Sequence, residues 1–247
     1  MNIKTFLVHI KKRLIITWEL WFTNKYFIHF YTKTFAQAGE DLIIHYLFTE
    51  LGIKKPNYLD IGANYPVAYN NTYYLYHRGS RGVCVEPDPS LIPALETYRR
   101  NDVVLNVGVG ITNESSADFY VFQVNALNTF SKEEAEYRES FGTYKVQKVI
   151  QIPLVNINDL IKTHFTTKLN LLSIDVEGLD LAILESLDYE LYRPDVICVE
   201  TITYDEGKSA KKIQEILDFV RSKQYVIYAD THINTIFVSE HHYPHLK

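Results

Sequence analysis

Short apolar runs alternate with segments in which apolar residues recur every three or four positions along most of the chain. Such runs are typical of buried strands, and the three-to-four-residue spacing is typical of amphipathic helices. Strands are predicted at residues 58–61, 82–85, 103–107, 169–174, 195–199, 225–229 and 235–238, and helices at 37–51, 70–78, 90–99, 158–163, 179–187 and 210–223. Alternating strands and helices build a parallel sheet with helices on both faces. We therefore expect a Rossmann-like α/β fold with a mostly parallel seven-stranded sheet.

Two features depart from this alternation. Strand patterns at residues 117–124 and 146–155 flank a polar, partly helical stretch at 125–144. This stretch predicts an insertion between the third and fourth strands, near the substrate, with Asn128, Thr129 and Tyr144 as candidate substrate contacts. The short connection at residues 230–234 predicts that the last strand runs antiparallel to its neighbours.

The chain ends differ from this central pattern. Residues 1–34 mix aromatic side chains with lysines and arginine, which predicts a basic, amphipathic helical extension packed on the domain. Docking on a membrane surface through residues 1–33, or on a partner, is the alternative. The longest apolar stretch there, residues 14–22, is shorter than the roughly 20 residues of a spanning helix. We expect one domain over residues 35–240, followed by a tail at 241–247.

Charge and cysteine content narrow the function classes. The formal net charge of -5 argues against nucleic acid as a partner, because a duplex-binding protein needs a basic face. Both cysteines, Cys84 and Cys198, lie inside apolar runs, which fits a reduced, cytoplasmic setting. The oligomeric state is left open by the sequence.

Acidic residues and glycines follow successive predicted strands, where an α/β sheet binds its ligands. Asp60 and Gly62 end the first strand, Glu86 ends the second and Gly108 follows the third. An acidic residue after the second strand is the usual partner of ribose hydroxyls, and Gly108 leaves space for a flat adenine. The dinucleotide motif G-x-G-x-x-G is absent, since the next glycine after Gly62 is Gly79. The pattern therefore favours a phosphate-free, cationic ligand.

Five segments together are specific to one family. They are AQAGEDLI at residues 36–43, LDIGAN at 59–64, NNTY at 70–73, RG at 81–82 leading to EP at 86–87, and LSIDVEG at 172–178. With them the chain, from about residue 35 to 238, resembles the FkbM family of S-adenosylmethionine-dependent methyltransferases. The resemblance implies a class I methyltransferase fold and O-methylation, often of sugars or natural products. It also implies that the cofactor is held by Asp60, Gly62, Asn64, Glu86 and Gly108, with Gln37, Asn71 and Thr72 as neighbours.

Methylation of a sugar hydroxyl requires a group that takes its proton, or a metal that lowers its pKa. Asp175 and Glu177 follow the fourth strand, and two residues two apart on an extended chain point to the same side. Either carboxylate is a candidate base, and Asp175 is also a candidate cofactor ligand. With Glu200, at the end of the next strand, they form a candidate all-oxygen site for Mg²⁺ or Mn²⁺. The alternative is that Asp175 and Glu177 only cap the following helix.

His232, on the turn before the last strand, is a further candidate base because its ordinary pKa lies near neutrality. A plain surface-loop histidine is the alternative.

These observations predict a cytoplasmic O-methyltransferase that uses S-adenosylmethionine and acts on a small carbohydrate-like acceptor: a sugar, a nucleotide-linked sugar or a glycan precursor. Two alternatives stay open at this point. One is a nicotinamide-dependent sugar-modifying enzyme, which the missing diphosphate loop disfavours. The other is a non-catalytic scaffold that keeps the fold and docks through its basic N-terminal segment.

Overall fold

A computed structural model describes residues 32–112, 114–203 and 211–242 of the chain. The predicted N-terminal extension, residues 1–34, and the tail, residues 241–247, therefore lie largely outside the described residues. Among the described residues, no helix is both long and apolar enough to cross a membrane.

Ten strands and seven α-helices are found in the described residues. The strands are β1 (Tyr58–Ile61), β2 (Gly82–Val85), β3 (Val103–Leu105), β4 (Gly108–Gly110), β5 (Ser116–Phe122), β6 (Val146–Asn156), β7 (Leu171–Ile174), β8 (Val196–Glu200), β9 (Tyr225–Asp230) and β10 (Asn234–Ser239). The helices are α1 (Glu40–Glu50), α2 (Tyr73–His77), α3 (Ile92–Tyr98), α4 (Lys132–Ser140), α5 (Ile157–His164), α6 (Asp180–Ser186) and α7 (Gln214–Ser222).

The main sheet has seven strands in the order β3-β2-β1-β7-β8-β10-β9. β1, β2, β3, β7 and β8 pair in parallel, whereas β10 pairs antiparallel with both β8 and β9. The predicted fold is confirmed, including the antiparallel last strand. Because β1 lies between β2 and β7, the winding direction reverses beside it, which is where α/β sheets bind ligands.

Alternating side chains of the strands supply two apolar layers. Leu59 and Ile61 of β1 pack in the layer that contains α5, α6 and α7 residues, and Tyr58 packs in the opposite layer with α1 and α2. Strand side chains alternate between faces, so Asp60 lies on the same face as Tyr58.

The predicted insertion, residues 125–144, joins two strands of a second, smaller sheet. β4 pairs in parallel with β6, and β6 pairs antiparallel with β5. A 3-10 turn (Asn125–Leu127) and α4 lie between β5 and β6. The sequence predicted β5, β6 and some helix between them, but it treated the third strand as one run to residue 107. In the structure that strand ends at Leu105, and Gly108–Gly110 leaves to join the second sheet.

Candidate active site

A cavity of about 310 Å³ lies at the carboxyl edge of the main sheet, beside the ends of β1, β2 and β7. Its lining includes six residues predicted to bind the cofactor: Gln37, Gly62, Asn64, Glu86, Gly108 and Asp175. Apolar side chains on its wall include Val107, Val109, Phe119 and Phe130. We refer to it below as the first cavity.

Gly62 forms the tight turn after β1. Its φ of +81° is unfavourable for residues with a side chain, and an added Cβ would lie 1.9 Å from the carbonyl oxygen of Asp175. The Gly62 amide donates a hydrogen bond to the carbonyl of Val85 at 3.0 Å, while the amide of Asp175 donates to the carbonyl of Ile61 at 3.0 Å. The turn therefore holds the ends of β1, β2 and β7 in close contact.

Asn64 and Glu86 connect this turn to the end of β2. The Asn64 amide donates to Glu86 Oε2 at 2.8 Å, and the Asp88 amide donates to Glu86 Oε1 at 2.7 Å. Burial raises the pKa of Glu86 to about 7, although these amides oppose the shift. The buried Oδ1 atom of Asn64 has no hydrogen-bond partner among the described residues. The cavity wall thus presents a fixed carboxylate beside a buried amide oxygen that has no partner among the described residues.

Asp60 does not line the first cavity, in contrast to the direct cofactor contact predicted for it. Its Oδ2 atom accepts hydrogen bonds from the Thr72 hydroxyl at 2.7 Å and from Asn70 Nδ2 at 3.3 Å. Burial raises the pKa of Asp60, and the Arg99 guanidinium acts in the opposite direction. The physical reason is strand alternation, because Asp60 faces the layer opposite the cavity.

Arg99 is fully buried behind the Gly62 turn and organises this polar layer. Its Nε donates to Asp102 at 2.8 Å, and its Nη2 donates to the Thr72 hydroxyl at 2.8 Å. Asn70 Nδ2 donates to the carbonyl of Ala63 at 3.0 Å, which links the layer to the turn. This network supports the turn from behind.

Thr72 and Asn71 also lie away from the first cavity. Thr72 is fully buried in the Arg99 network, and Asn71 Nδ2 is 3.7 Å from the sulfur of Cys198. Gln37, by contrast, does line the cavity. It precedes α1, where buried Glu40 accepts hydrogen bonds from the amide of Ala38 at 2.9 Å and from the Thr231 hydroxyl at 2.7 Å. The acidic start of α1 therefore fixes the segment that carries Gln37.

Gly108 lines the cavity, but the space beside it is occupied by protein. An added Cβ would lie 2.4 Å from Cζ of Phe130 and 2.8 Å from Cδ2 of Leu154. Gly108 therefore makes room for side chains of the insertion and of β6, and its contact with adenine stays a prediction.

Three predicted acidic residues meet at the edge of the sheet. One carboxylate oxygen from each of Asp175, Glu177 and Glu200 lies within 4.8 Å of the others. Burial and neighbouring carboxylates raise the pKa of Asp175, and they raise that of Glu200 to about 11. Burial raises the pKa of Glu177 to about 7, with Arg138 opposing the shift. Crowded carboxylates of this kind favour a proton or a cation between them.

In the sequence analysis, Asp175 and Glu177 were placed on the same side of an extended strand, and the structure differs on this point. β7 ends at Ile174, and Glu177 has a φ of +56°, so the two residues lie on a turn and not on an extended strand. The alternative, that Asp175 and Glu177 only cap α6, is not what the structure shows. The N-cap position is Leu179, which makes no side-chain capping hydrogen bond. Asp180, the first residue of α6, instead orders the preceding turn, since its carboxylate accepts the amides of Val176 at 3.2 Å and Gly178 at 3.3 Å.

His232 lies in the turn between β9 and β10. Its side chain is exposed, its φ is +78°, and its amide donates to Asp230 at 2.7 Å. It is absent from the described lining of the first cavity. The structure therefore favours the alternative, an exposed histidine on a surface turn, over a base at the mouth of the site.

The insertion covers the first cavity and is attached at both sides. Asn128 lines the cavity and donates to Asp88 at 2.9 Å, beside the end of β2. The buried Thr129 hydroxyl donates to the carbonyl of Glu177 at 2.9 Å, beside the end of β7. Tyr144, the third predicted acceptor contact, instead packs against an apolar cluster of the insertion. The insertion is thus a roof over the site, as its position in the sequence predicted.

A second cavity, of about 420 Å³, lies on the other side of the acidic cluster. Glu177 and Glu200 line both cavities. The second cavity is also lined by Glu134, Tyr137 and Arg138 of α4 and by Thr203 and Lys211. Arg138 Nη2 lies 2.6 Å from Glu177 Oε2, so α4 is paired directly with the acidic cluster.

The model of the FkbM methyltransferase domain matches residues 60–227. The chain belongs to the FkbM methyltransferase family. It is therefore a methyltransferase that depends on S-adenosylmethionine, and its strand order is that of class I methyltransferases. Family membership decides against the nicotinamide-dependent alternative.

Solved structures similar to this FkbM methyltransferase are distant. A TehB-like S-adenosylmethionine-dependent methyltransferase from Corynebacterium glutamicum is 9% identical, with a TM-score of 0.43 and coverage of 92% of this chain and 97% of that one. An O-methyltransferase from Bacillus cereus, solved with S-adenosylhomocysteine, is 13% identical, with a TM-score of 0.40 and coverage of 81% and 78%. A 1,6-didemethyltoxoflavin N1-methyltransferase from Burkholderia thailandensis is 9% identical, with a TM-score of 0.39 and coverage of 96% and 89%. No curated protein sequence matches the chain.

Several residues of this site were not identified from the sequence. Phe130 and Asn125 line the first cavity, and Arg138 pairs with Glu177. One signal was present for α4: Ser131 is followed three residues later by Glu134, which is the spacing of a capping box. In the structure Ser131 Oγ accepts the Glu134 amide at 3.1 Å. That signal marks where the helix begins, but it does not show which cavity the helix borders.

Proposed function

We propose that this FkbM methyltransferase transfers the methyl group of S-adenosylmethionine to a hydroxyl of a small sugar-like acceptor: a sugar, a nucleotide-linked sugar or a glycan precursor. One observation carries the proposal. The described lining of the first cavity contains four carboxylates, Glu86, Asp175, Glu177 and Glu200, and no lysine, arginine or histidine. Burial raises the pKa of all four groups, so a cationic ligand without phosphates stabilises their ionised forms, whereas a pyrophosphate would oppose ionisation further.

The residues of the first cavity suit the parts of this methyl donor. Glu86 would bind the ribose hydroxyls, since each carboxylate oxygen that accepts one backbone amide keeps further capacity to accept. Val107 and Phe130 offer apolar surface for adenine. The unpaired Oδ1 of Asn64 would accept a hydrogen bond from the amino group at the other end.

When bound, S-adenosylmethionine supplies an electrophilic methyl group, whose carbon takes an electron pair from the acceptor oxygen while the carbon–sulfur pair returns to sulfur. The acceptor hydroxyl must lose a proton in this reaction. Glu200 is the best-placed proton acceptor. It borders both cavities, and no described residue donates a hydrogen bond to its carboxylate. Burial and neighbouring carboxylates raise its pKa to about 11 without a ligand, and the positive charge of the bound methyl donor favours the ionised form that accepts the proton. Glu177, which also borders both, is held by Arg138 at 2.6 Å.

A methyl-transfer assay with isotope-labelled S-adenosylmethionine and a panel of sugars, nucleotide sugars and glycan precursors tests the proposal. We expect transfer to a hydroxyl oxygen, located by mass spectrometry and NMR. Glu200→Gln should lower kcat by about 10²–10⁴-fold, the usual contribution of a general base, with S-adenosylhomocysteine affinity retained. Glu185→Gln, on the exposed side of α6, is the matched control and should leave kcat unchanged.

Two outcomes would contradict the proposal. Methyl transfer to nitrogen or carbon would refute the O-methyltransferase assignment. Tight binding of S-adenosylhomocysteine with no transfer to any hydroxyl acceptor would favour the non-catalytic scaffold.

The predicted Mg²⁺ or Mn²⁺ site uses the same carboxylates, Asp175, Glu177 and Glu200, and it is the alternative means of activating the hydroxyl. The comparisons give it no support, and the Arg138 guanidinium already pairs with Glu177. Activity that is lost in EDTA and restored by Mn²⁺ would favour the metal over Glu200 as the activating group.

A further inference from the structure

The second cavity has a wall built from one face of α4. Glu134, Tyr137 and Arg138 are spaced three and four residues apart, so their side chains lie on the same side of the helix. Tyr137 is 47% exposed. Phe141 meets the Tyr137 ring edge to face at a centroid distance of 4.9 Å, which fixes its orientation.

The position of α4 relative to the acidic cluster is fixed by close contacts. Arg138, which is 1% exposed, donates to Glu177 Oε2 at 2.6 Å and to the carbonyl of Leu127 at 2.6 Å. An added Cβ on Gly178 would lie 2.9 Å from Cγ of Glu134, so the helix packs directly on the turn that carries Glu177. The Tyr137 ring is therefore held beside the carboxylates that border both cavities.

The opposite wall is also ordered by hydrogen bonds. The Thr203 amide donates to the carbonyl of Lys211 at 2.9 Å, and the Ile213 amide donates to the carbonyl of Thr201 at 2.9 Å. These bonds hold Thr203 and Lys211 across the cavity from α4.

The charges of the second cavity oppose an anionic ligand. Its described lining contains the carboxylates of Glu134, Glu177, Asp180 and Glu200, against the cations of Arg138 and Lys211. Arg138 is engaged with Glu177. Burial already raises the pKa values of Glu177, Asp180 and Glu200, so a phosphate or carboxylate placed here would oppose their ionisation further and is disfavoured. The volume of about 420 Å³ is near the lower end of small-molecule sites, which are about 300–1,000 Å³.

We propose that the second cavity binds the acceptor as one uncharged or amine-bearing sugar ring stacked on Tyr137, and that any phosphate of the acceptor lies outside this cavity. Tyr137 is thus the residue that selects a ring with an apolar face. This inference rests on the proposed function, because the hydroxyl to be methylated must reach Glu200 from this side.

Saturation-transfer NMR tests the proposal with a panel of methyl glycosides, methyl glucosaminide and glucose 1-phosphate, in the presence of S-adenosylhomocysteine. We expect at least one methyl glycoside or the glucosaminide to bind, and glucose 1-phosphate to bind no more tightly than methyl glucoside. Tyr137→Ala should weaken sugar binding by about 3- to 10-fold, whereas Tyr137→Phe should retain it, since the ring face provides the contact. Tyr98→Ala, an exposed tyrosine on α3, is the matched control and should not alter sugar binding.

Calorimetry with S-adenosylhomocysteine on the same variants distinguishes a failure of this inference from a failure of the proposed function. Normal affinity in every variant, together with sugar binding that ignores Tyr137 or is absent across the panel, overturns this inference and leaves the methyltransferase assignment intact. Tighter binding of glucose 1-phosphate than of methyl glucoside also overturns it. Failure of the wild-type protein to bind S-adenosylhomocysteine removes the proposed function, and the inference with it.

Discussion

The turn at Gly62 offers a sharp quantitative test, because the chain contains a matched control for it. Gly62 and Gly52 have similar positive φ values, +81° and +71°. A Cβ on Gly52 would have no atom within 4 Å, whereas one on Gly62 would lie 1.9 Å from the carbonyl oxygen of Asp175. Alanine at either position carries the cost of a left-handed backbone, about 1–2 kcal/mol. Alanine at Gly62 adds a clash with backbone.

Relief of that clash requires the ends of β1 and β7 to move apart. Such a movement strains the hydrogen bonds at 3.0 Å from Gly62 to Val85 and from Asp175 to Ile61. Overpacking costs about 1–3 kcal/mol, and each weakened hydrogen bond costs up to about 1 kcal/mol more. We therefore expect Gly62→Ala to lower the free energy of unfolding by roughly 1–5 kcal/mol more than Gly52→Ala.

Urea unfolding followed by far-ultraviolet circular dichroism measures this difference, and calorimetry measures S-adenosylhomocysteine affinity in the same samples. Gly62→Ala should also weaken that affinity by about tenfold, because a shift of the cavity wall that removes one hydrogen bond to the ligand costs about 1.4 kcal/mol of binding free energy. Equal destabilisation by the two variants, with unchanged affinity, would refute the argument that the Gly62 turn joins the strand ends and shapes the cavity.

Two further predictions concern charged groups outside the cavities. Arg99→Met should lower the free energy of unfolding by about 3–5 kcal/mol in the same urea assay, because it leaves the buried carboxylates of Asp102 and Asp60 without their cation. A loss below about 1 kcal/mol would contradict this prediction. Burial of Asp195 opposes its ionisation, but hydrogen bonds from Lys168, Asn170 and His242 outweigh it and lower the pKa of Asp195 below its ordinary value of 3.8. A carboxylate whose pKa is lower in the folded state stabilises the fold at pH values above its unfolded-state pKa, so Asp195→Asn should lower the free energy of unfolding at pH 7. The difference from wild type should vanish as the pH falls through the folded-state pKa. A difference that does not depend on pH would contradict this prediction.

The central strands were predictable because their signal is local. β1 and β2 have the predicted bounds, 58–61 and 82–85, since each is a short, mostly apolar run ended by a turn or acidic residue. The antiparallel β10 was predictable from the short connection before it, which leaves room only for a reversal.

The direct role of Asp60 was predicted from motif position alone, and this is where the prediction departs from the geometry. Tyr58 and Asp60 share one face of β1, and Leu59 and Ile61 share the other. Applied to this strand, the two-residue alternation places Asp60 behind the cavity. The motif identified the correct turn, and the strand period identifies which of its side chains the ligand can touch.

The second sheet and the second cavity depend on contacts between distant parts of the chain. Gly108 pairs with Leu154, and Arg138 pairs with Glu177. The local pattern of apolar and polar residues does not predict such pairings, because the periodicity of β4 or α4 indicates only that one face is buried. The sequence therefore predicted an insertion near the substrate, but it chose Tyr144 where the structure places Tyr137 beside the cavity.

The most direct test of the central claim is a calorimetric titration of the wild-type chain with S-adenosylhomocysteine, repeated with NAD. The acidic lining of the first cavity, without a described cation, predicts saturable binding of S-adenosylhomocysteine at one site per chain and no binding of NAD. Saturable binding of NAD, or no binding of S-adenosylhomocysteine, would contradict the account.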